Sequence, residues 1–474
     1  MISHILKYEW LSFKRQGFNL VIHSLAILLG LYSIYYGARE IKKQELAIAS
    51  VMEESSRSQK LIQEGFSADT STTEGKKAWE ISAVASYAWH RHVYPAAYKP
   101  SPLASLAIGQ RDLQPYYYKI SAMSLYYQVF QNEIANPEKL LAGNFDLSFV
   151  LVYLFPLLII AFSYNILSED TDRGVLPVIR SQAFPVKTVV LYRLLFYFIL
   201  LTGTAFLLSM VGFISDSSMN FDRLNLAVFW LIIILIYFLF WFSLMFILIS
   251  LKKNTGWNAM AGIGTWLLIL ILIPALLNIL ISLSMPLNSS VLSSISRRAG
   301  VFDEEKDENH IKVIQEFLTK HPEFAAGPQL FQKKLMAKGQ AAFTVLRDAQ
   351  SARLVATYQN QVKERDKIAR SFNFINPAVA TQNLFNSLAS TDLYAFQDFS
   401  KSVAAFHKQL VTFYYSRLFS DRNFSSEEMR HSPVFVMSGN FNTAAYIRTG
   451  VFQLLMLTVL LLVIGAFISS KNLK

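Results

Sequence analysis

Six stretches of this chain are long enough and apolar enough to cross a bilayer, and everything else about its fold must accommodate them. A spanning helix needs roughly 20 predominantly apolar residues, because the hydrocarbon core is about 30 Å thick. Residues 18–37, 147–167, 188–214, 226–250, 258–284 and 449–469 satisfy this. None contains an acidic residue, and Arg193, near the start of the third, is the only lysine or arginine among them. Its position lets the guanidinium snorkel to the interface. Pro156 and Pro274 fall inside the second and fifth spans, where neighbouring groups can satisfy the backbone that a proline frees. Composition agrees: 53% of the 474 residues are hydrophobic and 16% are charged, against about 25% charged in a soluble domain. A soluble enzyme and a disordered chain are both disfavoured. The absence of cysteine excludes disulfides, thiolate zinc sites, Fe–S clusters and a cysteine nucleophile.

Basic residues in the short flanks set the orientation. Lys7, Lys14, Arg15, Arg173, Arg180, Lys187, Lys252, Lys253, Lys471 and Lys474 lie on one side; the short loop 215–225 on the other side holds only Arg223. Both termini and the loops after the second and fourth spans are therefore expected in the cytoplasm. The long segments 38–146 and 285–448 are expected outside. The first span has no small-residue cleavage site after a short apolar core, so it reads as a retained anchor. Segment 38–146 carries 12 basic and 12 acidic residues, and 285–448 carries 20 and 15. These are solvated surfaces, not a polybasic tract, so the formal net charge of +11 does not point to nucleic acid.

The expected fold is an all-α integral membrane protein with six transmembrane helices and a largely helical extracytoplasmic domain built from the two long segments. Residues 329–372 contain no proline and one glycine, and Phe331, Leu335, Ala342, Leu346, Ala349 and Ala352 or Arg353 step along one helical face. Thr391-Asp392 suits a helix start running to about Phe419, with Tyr394, Phe396, Phe399, Val403, Phe406 and Leu410 as its apolar side. The first span is expected to continue outward through Lys42, Leu46, Val51 and Leu61 and to break in the Ser/Thr/Gly-rich stretch 65–75. Lesser helix candidates are 304–318 and 381–390; no sustained strand alternation and no internal repeat is visible.

Catalytic motifs are missing. There is no P-loop, H-E-x-x-H, G-x-S-x-G or EF-hand loop. His90 and His92 in Trp89-His90-Arg91-His92 are two apart and do not share a helical face, and His310, His321, His407 and His431 are scattered; surface or interfacial roles fit them better than a metal site. Asn288-Ser289-Ser290 and Asn423-Phe424-Ser425 match the glycosylation pattern, which is common by chance. An ion-driven carrier would show an ionisable group at membrane depth, but only His23 and Arg193 are available, both towards the cytoplasmic ends of their spans. Gly203, Gly212, Gly262 and Gly264 fit close helix packing better than a path. The membrane part therefore needs an external source of energy.

The informative cytoplasmic segment is 168–187. Glu169, Asp170 and Asp172 open it, Arg173-Gly174 follow, and Val175, Leu176, Val178 and Ile179 form an apolar patch. A short element with acids at its N-terminus suits docking into a partner's groove, and a plain solvated turn would carry the same residues. Residues 1–17 place Leu6, Trp10 and Phe13 on one helical face, to rest in lipid, with Lys7, Lys14 and Arg15 near the headgroups.

The segment resembles the cytoplasmic loop of ABC-2 type exporter permeases, in which the second span is followed by Glu, then Arg-Gly-Thr-Leu, then Ser and Pro. Here these are Glu169, Arg173-Gly174-Val175-Leu176, Ser181 and Pro185, with Val175 in place of the usual Thr. Ser250 with Lys252 and Lys253, Trp266 before Pro274, and an N-terminal elbow helix extend the likeness. Residues 102–113 (PLASLAIGQRDL), 136–146 (NPEKLLAGNFD), Asn376-Pro377, Leu384 and Thr391-Asp392 are similar to a bacterial subfamily with two large extracytoplasmic insertions of unknown function.

The resemblance implies a multi-pass protein of the bacterial inner membrane that has no nucleotide site or catalytic residue of its own. It would pair with a second permease chain, as homodimer or heterodimer, and with cytoplasmic ABC ATPase subunits that hold ATP and Mg. Glu169, Asp170, Arg173, Gly174, Val175 and Leu176 would form the coupling helix, with Glu169 and Arg173 as charged contacts or loop-ordering residues and Gly174 permitting a tight turn. Transport of an unknown substrate is the leading expectation. A mechanical role on an envelope partner and a membrane-anchored scaffold or sensor are the alternatives, and a membrane-embedded hydrolase ranks last.

Overall fold

The computed structural model describes residues 2–130, 144–181, 185–215, 224–287, 307–325, 331, 333–437 and 443–473. Within them lie six helices long and apolar enough to cross a membrane, and they match the six apolar stretches to within a few residues, apart from the long extension of the first. Residues 136–143 of the second insertion-like motif, the Asn288-Ser289-Ser290 sequon, most of the 215–225 loop, and residues 304–306 and 329–330 of two expected helices lie outside the described residues.

The chain opens with α1 (Ile2–Arg15). It breaks at Gln16, whose backbone is extended, and re-enters helix as α2 (Gly17–Gly65). Helix α2 is one unbroken rod of 49 residues, about 74 Å at ~1.5 Å per residue, and it ends at Gly65, where the sequence places a break. The short helices α3 (Thr73–Ala83) and α4 (Ala85–Arg91) follow. A hairpin-like pair, β1 (Tyr94–Ala97) and β2 (Tyr117–Ile120), comes next, antiparallel with Tyr94 opposite Ile120. The described residues are otherwise helical as expected, and this two-stranded sheet is a local departure from the all-α expectation. β1 reads Tyr-Pro-Ala-Ala and buries three of its four residues, so it shows no alternation. Helix α5 (Leu125–Phe130) closes this part.

The second span begins at Leu147, passes through a π segment Val150–Leu154 and continues as α6 (Phe155–Ser163). The basal loop carries α7 (Ser168–Asp172) and α8 (Leu176–Arg180). Spans three and four are α9 (Val186–Ser215) and α10 (Leu224–Ser250). Span five is α11 (Thr255–Leu267), a π segment Leu268–Leu272 and α12 (Ile273–Ser284). The lobe resumes with α13 (Asp307–Lys320), α14 (Leu335–Ser371), α15 (Pro377–Leu388), α16 (Leu393–Phe419) and α17 (Ser426–Arg430). Helix α18 (Thr443–Asn472) is the sixth span.

Both π segments sit directly before a proline, Pro156 or Pro274, and the ring explains the second-span one locally. Pro156 has no N–H for the carbonyl four residues back, so Val152 O is released, and the Tyr237 hydroxyl donates to it at 2.9 Å. Trp266 Nε1 donates to the next carbonyl, Tyr153 O, at 3.0 Å. Side chains of spans four and five thus satisfy the opened backbone of span two, which fixes their relative register.

The two long segments fold as one lobe with a shared aromatic core. Trp89, Tyr94 and Tyr118 from the first pack with Phe317, Phe399, Tyr414 and Tyr415 from the second. Asp348 of α14 caps α5 across the lobe, accepting from Ser124 Oγ and Leu125 N at 2.6 Å each. On α14 the buried face is Lys338, Gly339, Ala341, Ala342, Leu346 and Val355. Ala349, expected on it, is exposed, although Val355 further along the helix is buried. Helix α16 starts as expected, with Asp392 Oδ1 accepting from Ala395 N at 3.1 Å, and Phe399, Val403, Phe406 and Leu410 are buried.

Candidate coupling site at the basal end and the joint above it

At the basal end of the bundle, opposite the lobe, α1, α7, α8 and the foot of α9 meet. Arg193 joins them. Its Nε lies 3.0 Å from Glu9 Oε1 of α1, and its Nη1 lies 2.6 Å from Asp170 Oδ2 of α7 and donates to Ile166 O at 2.7 Å. All three charged side chains are largely buried. Arg193 therefore does not snorkel: two carboxylates and a carbonyl hold it inside the protein, and the link ties the N-terminal helix to the basal loop. Burial raises the Glu9 carboxyl above its ordinary value; Arg193 opposes the rise, and Asp170 and Glu169 add to it. The signal was present in the sequence. Glu9 stands three residues after Leu6 and four before Phe13, on the apolar face of α1, where an acid has no place without a cation.

Phe13 also departs from its expected role. It is buried in the bundle core, edge-on to His23 and Phe162, because α1 packs against α9 and α2 with that face. Leu6 is half-buried against the same core, and Trp10 alone of the three stays exposed, with Lys14 Nζ 4.8 Å from its ring.

The loop residues split into two sets. Asp170 and Leu176 turn inward, Leu176 into the bundle core. Arg173, Gly174 and Val175 face outward, as does Val178, while Ile179 packs back on the core. Glu169 pairs with Arg173 at 2.5 Å and accepts from Asn165 Nδ2 at 2.7 Å. Gly174 has φ +69°, a left-handed conformation that glycine adopts without steric cost; it closes α7 and redirects the chain into α8. Thr255, at the start of span five, lies 2.8 Å from both Ser168 Oγ and Asp172 Oδ2, so the loop is tied to spans three and five together. A polar cavity of ≈480 Å³ opens beside the ion cluster, lined by Tyr8, Glu9, Asn165, Glu169 and Arg193 among others.

The segments that carry the insertion-like motifs converge at the other end, where lobe meets bundle. Leu103, Ala104 and Leu106–Ile108 are fully buried. Ser148 N donates to Leu106 O at 2.9 Å. Asp146, buried, accepts from Ile108 N at 2.8 Å, Ser148 Oγ at 2.7 Å and Phe149 N at 2.9 Å, so it both caps the second span and pins the loop. Its carboxyl is pushed up to about 6 by burial, against those hydrogen bonds. Thr391 Oγ1 donates to Ala107 O at 2.8 Å, and Gln382 Nε2 donates to Ser148 Oγ at 2.8 Å. Phe385 lies against Trp230 with ring centroids 4.1 Å apart. A Cβ at Gly37 would come 1.8 Å from Ser105 O, so glycine is required where α2 passes the joint.

The histidine pair of the first long segment does not act together. His92 is buried, with Nδ1 2.9 Å from the Tyr414 hydroxyl and Nε2 2.9 Å from Ile81 O. Among the described residues no group of three or more His, Cys, Asp or Glu gathers to hold a metal.

Comparison with protein families matches residues 291–438 to a family described as a domain of unknown function, DUF3526. The match lies inside the second long segment and covers α13 to α17. Comparison with curated proteins gives no match, and comparison with solved structures gives none.

Proposed function

We propose that this chain is the membrane-spanning permease subunit of an ATP-driven ABC-2 type exporter, coupling hydrolysis in a separate cytoplasmic ATPase to outward movement of a substrate. The observation that carries the reading is the basal loop. It presents Arg173, Val175 and Val178 outward on a two-helix element, and its inner side is bolted through Asp170–Arg193–Glu9 and Thr255 to three other parts of the bundle. A force applied to that surface reaches α1 through Glu9, span three through Arg193 and span five through Thr255. In this reading the loop faces the cytoplasm of a bacterial cell, the lobe lies outside the inner membrane, and ATP and Mg belong to the partner. A second permease chain would pack on the little-buried apolar faces of the first and fifth spans.

A mechanical role without transport is the second reading, favoured by α2. That helix runs unbroken from the basal end into the lobe and is clasped at the joint by the Ser105 backbone.

The test is a tagged purification from the native host in mild detergent, comparing wild type with Val178→Asp and with Glu169→Ala/Arg173→Ala. We expect a P-loop ATPase to accompany wild type and to be lost, or its hydrolysis uncoupled, in the variants. An ATPase-free preparation, or variants that behave as wild type, would overturn the proposal.

A further inference from the structure

Charge stops abruptly at the end of α14. Residues 363–370 (KERDKIAR) carry six charged side chains, and residues 371–391 (SFNFINPAVATQNLFNSLAST) carry none. The first stretch closes α14, and the second runs through a tight helical turn, Phe372–Phe374, into α15. Helix α15 packs among the spans. Ala378, Leu384 and Phe385 belong to the bundle core, and a Cβ at Gly450 of the sixth span would come 2.7 Å from Leu384. Phe374 and Ile375 lie between the charged helix and this inserted one. They are 51% and 56% exposed, while Asn373 and Asn376 on either side of them are buried.

Two spans fix the height of this turn. Arg365 donates to Met285 O at 2.8 Å and Ser282 Oγ at 3.0 Å, at the lobe end of the fifth span. The Arg370 guanidinium lies 4.2 Å from the centre of the Tyr446 ring, and Asn373 Nδ2 donates to the Tyr446 hydroxyl at 3.4 Å. Tyr446 stands about 4.5 Å along the helix from Thr449, where the apolar stretch of the sixth span begins. The interfacial zone of a bilayer is about 5–8 Å deep on each side, so side chains held here meet headgroups and upper acyl chains. The backbone suits that surrounding. Ile375 N and Asn376 N both donate to Phe372 O, at 2.9 and 3.1 Å, and neither needs water as a partner. Both anchoring spans expose apolar residues themselves, Leu280 and Leu283 on the fifth and Phe452 and Met456 on the sixth.

We infer that Phe374 and Ile375 form an apolar wedge inserted into the leaflet on the lobe side, so that the lobe stands with one foot in the lipid. Two side chains fall far short of the about 800 Å² per partner that a stable protein interface buries, and their height matches the lipid surface. The inference rests on the six spans crossing a membrane and stands whether or not the chain exports anything.

The cysteine-free sequence allows a direct test with single nitroxide labels. Full-length Phe374→Cys and Ile375→Cys are labelled in nanodiscs, beside Arg57→Cys, whose native side chain is 74% exposed on the lobe, and Val459→Cys on the sixth span, exposed in the protein. Power saturation then compares collision with oxygen, which partitions into lipid, and with a water-soluble nickel chelate. The oxygen-to-nickel ratio at 374 and 375 is expected to be several times that at 57 and to approach that at 459, with all four unlabelled variants melting as wild type. A ratio equal to that at 57 would place the turn in water and overturn the inference. Exclusion of both reagents would overturn it as well, by showing protein over the wedge; a disulfide between two Ile375→Cys chains in nanodiscs holding two copies would identify that protein as a second copy.

Discussion

Removing the guanidinium at position 193 would leave two carboxylates, Glu9 and Asp170, facing one another in a largely buried site. Breaking a buried ion cluster from one side costs about 3–5 kcal/mol, mostly through the charges left behind. We expect Arg193→Leu to lower stability by about 3 kcal/mol, and Arg193→Lys to recover part of it, since an ammonium cannot reach Glu9, Asp170 and Ile166 O with one planar fork. Glu9→Gln should cost far less, because burial already raises that carboxyl. Thermal melting of the three variants in detergent checks this order; equal melting for Leu and wild type would refute it. At this scale the sequence was half legible. The lone basic residue among six apolar spans stood out, and its acid partner did so only as a misfit on the face of Leu6 and Phe13. That the two meet depends on α1 folding back across α9, which no local pattern encodes.

Among elements, the helices were the readable part, because each apolar stretch or stripe repeats at the helical period over many turns. The caps at Asp392 and Asn254, which accept from Ala395 N and Trp257 N, are short-range signals of the same kind. The π segments were not readable, since a proline announces a missing N–H but not which neighbour answers it. Here Tyr237 and Trp266 answer. Tyr237→Phe should cost about 1–3 kcal/mol by leaving the buried Val152 carbonyl without a donor. Trp266→Phe should cost about as much at Tyr153 O, and the double variant should show less than the sum, because both bonds support one opened turn. Melting of the four proteins in a double-mutant cycle measures the coupling; strict additivity would mean the two carbonyls act independently. The β1–β2 pair escaped for a different reason: a connection of 19 residues separates its strands, and β1 has no alternation to read.

For the whole molecule, acid titration of the lobe and joint brings opposing groups into play. Burial depresses His92 and His407 to about 4, so their contribution is full above the unfolded value near 6.5 and is lost as pH falls through 4. Burial raises Asp146 and Asp348 to about 6, so their contribution is full below about 3.8 and is lost as pH rises through 6. The shifts are of similar size and opposite sign, and stability between pH 4 and 6 should be nearly flat. His407→Gln keeps an N–H for Met123 O, which His407 Nε2 meets at 2.6 Å, and removes one titration. We expect its melting temperature relative to wild type to rise as pH falls from 7.5 to 4.5. A constant difference across that range would remove the histidine from the account.

Helix α2 has one more consequence. An unbroken helix of about 74 Å, were it to tilt about the point where Gly37 meets the Ser105 backbone, would have arms of unequal length: about 30 Å towards the base and about 42 Å into the lobe at ~1.5 Å per residue. Such a geometry is a lever with gain. A tilt of about 5° that moved its foot by about 3 Å would sweep its far end through nearly 4 Å in the opposite sense, so a small push at the base would arrive in the lobe enlarged and reversed.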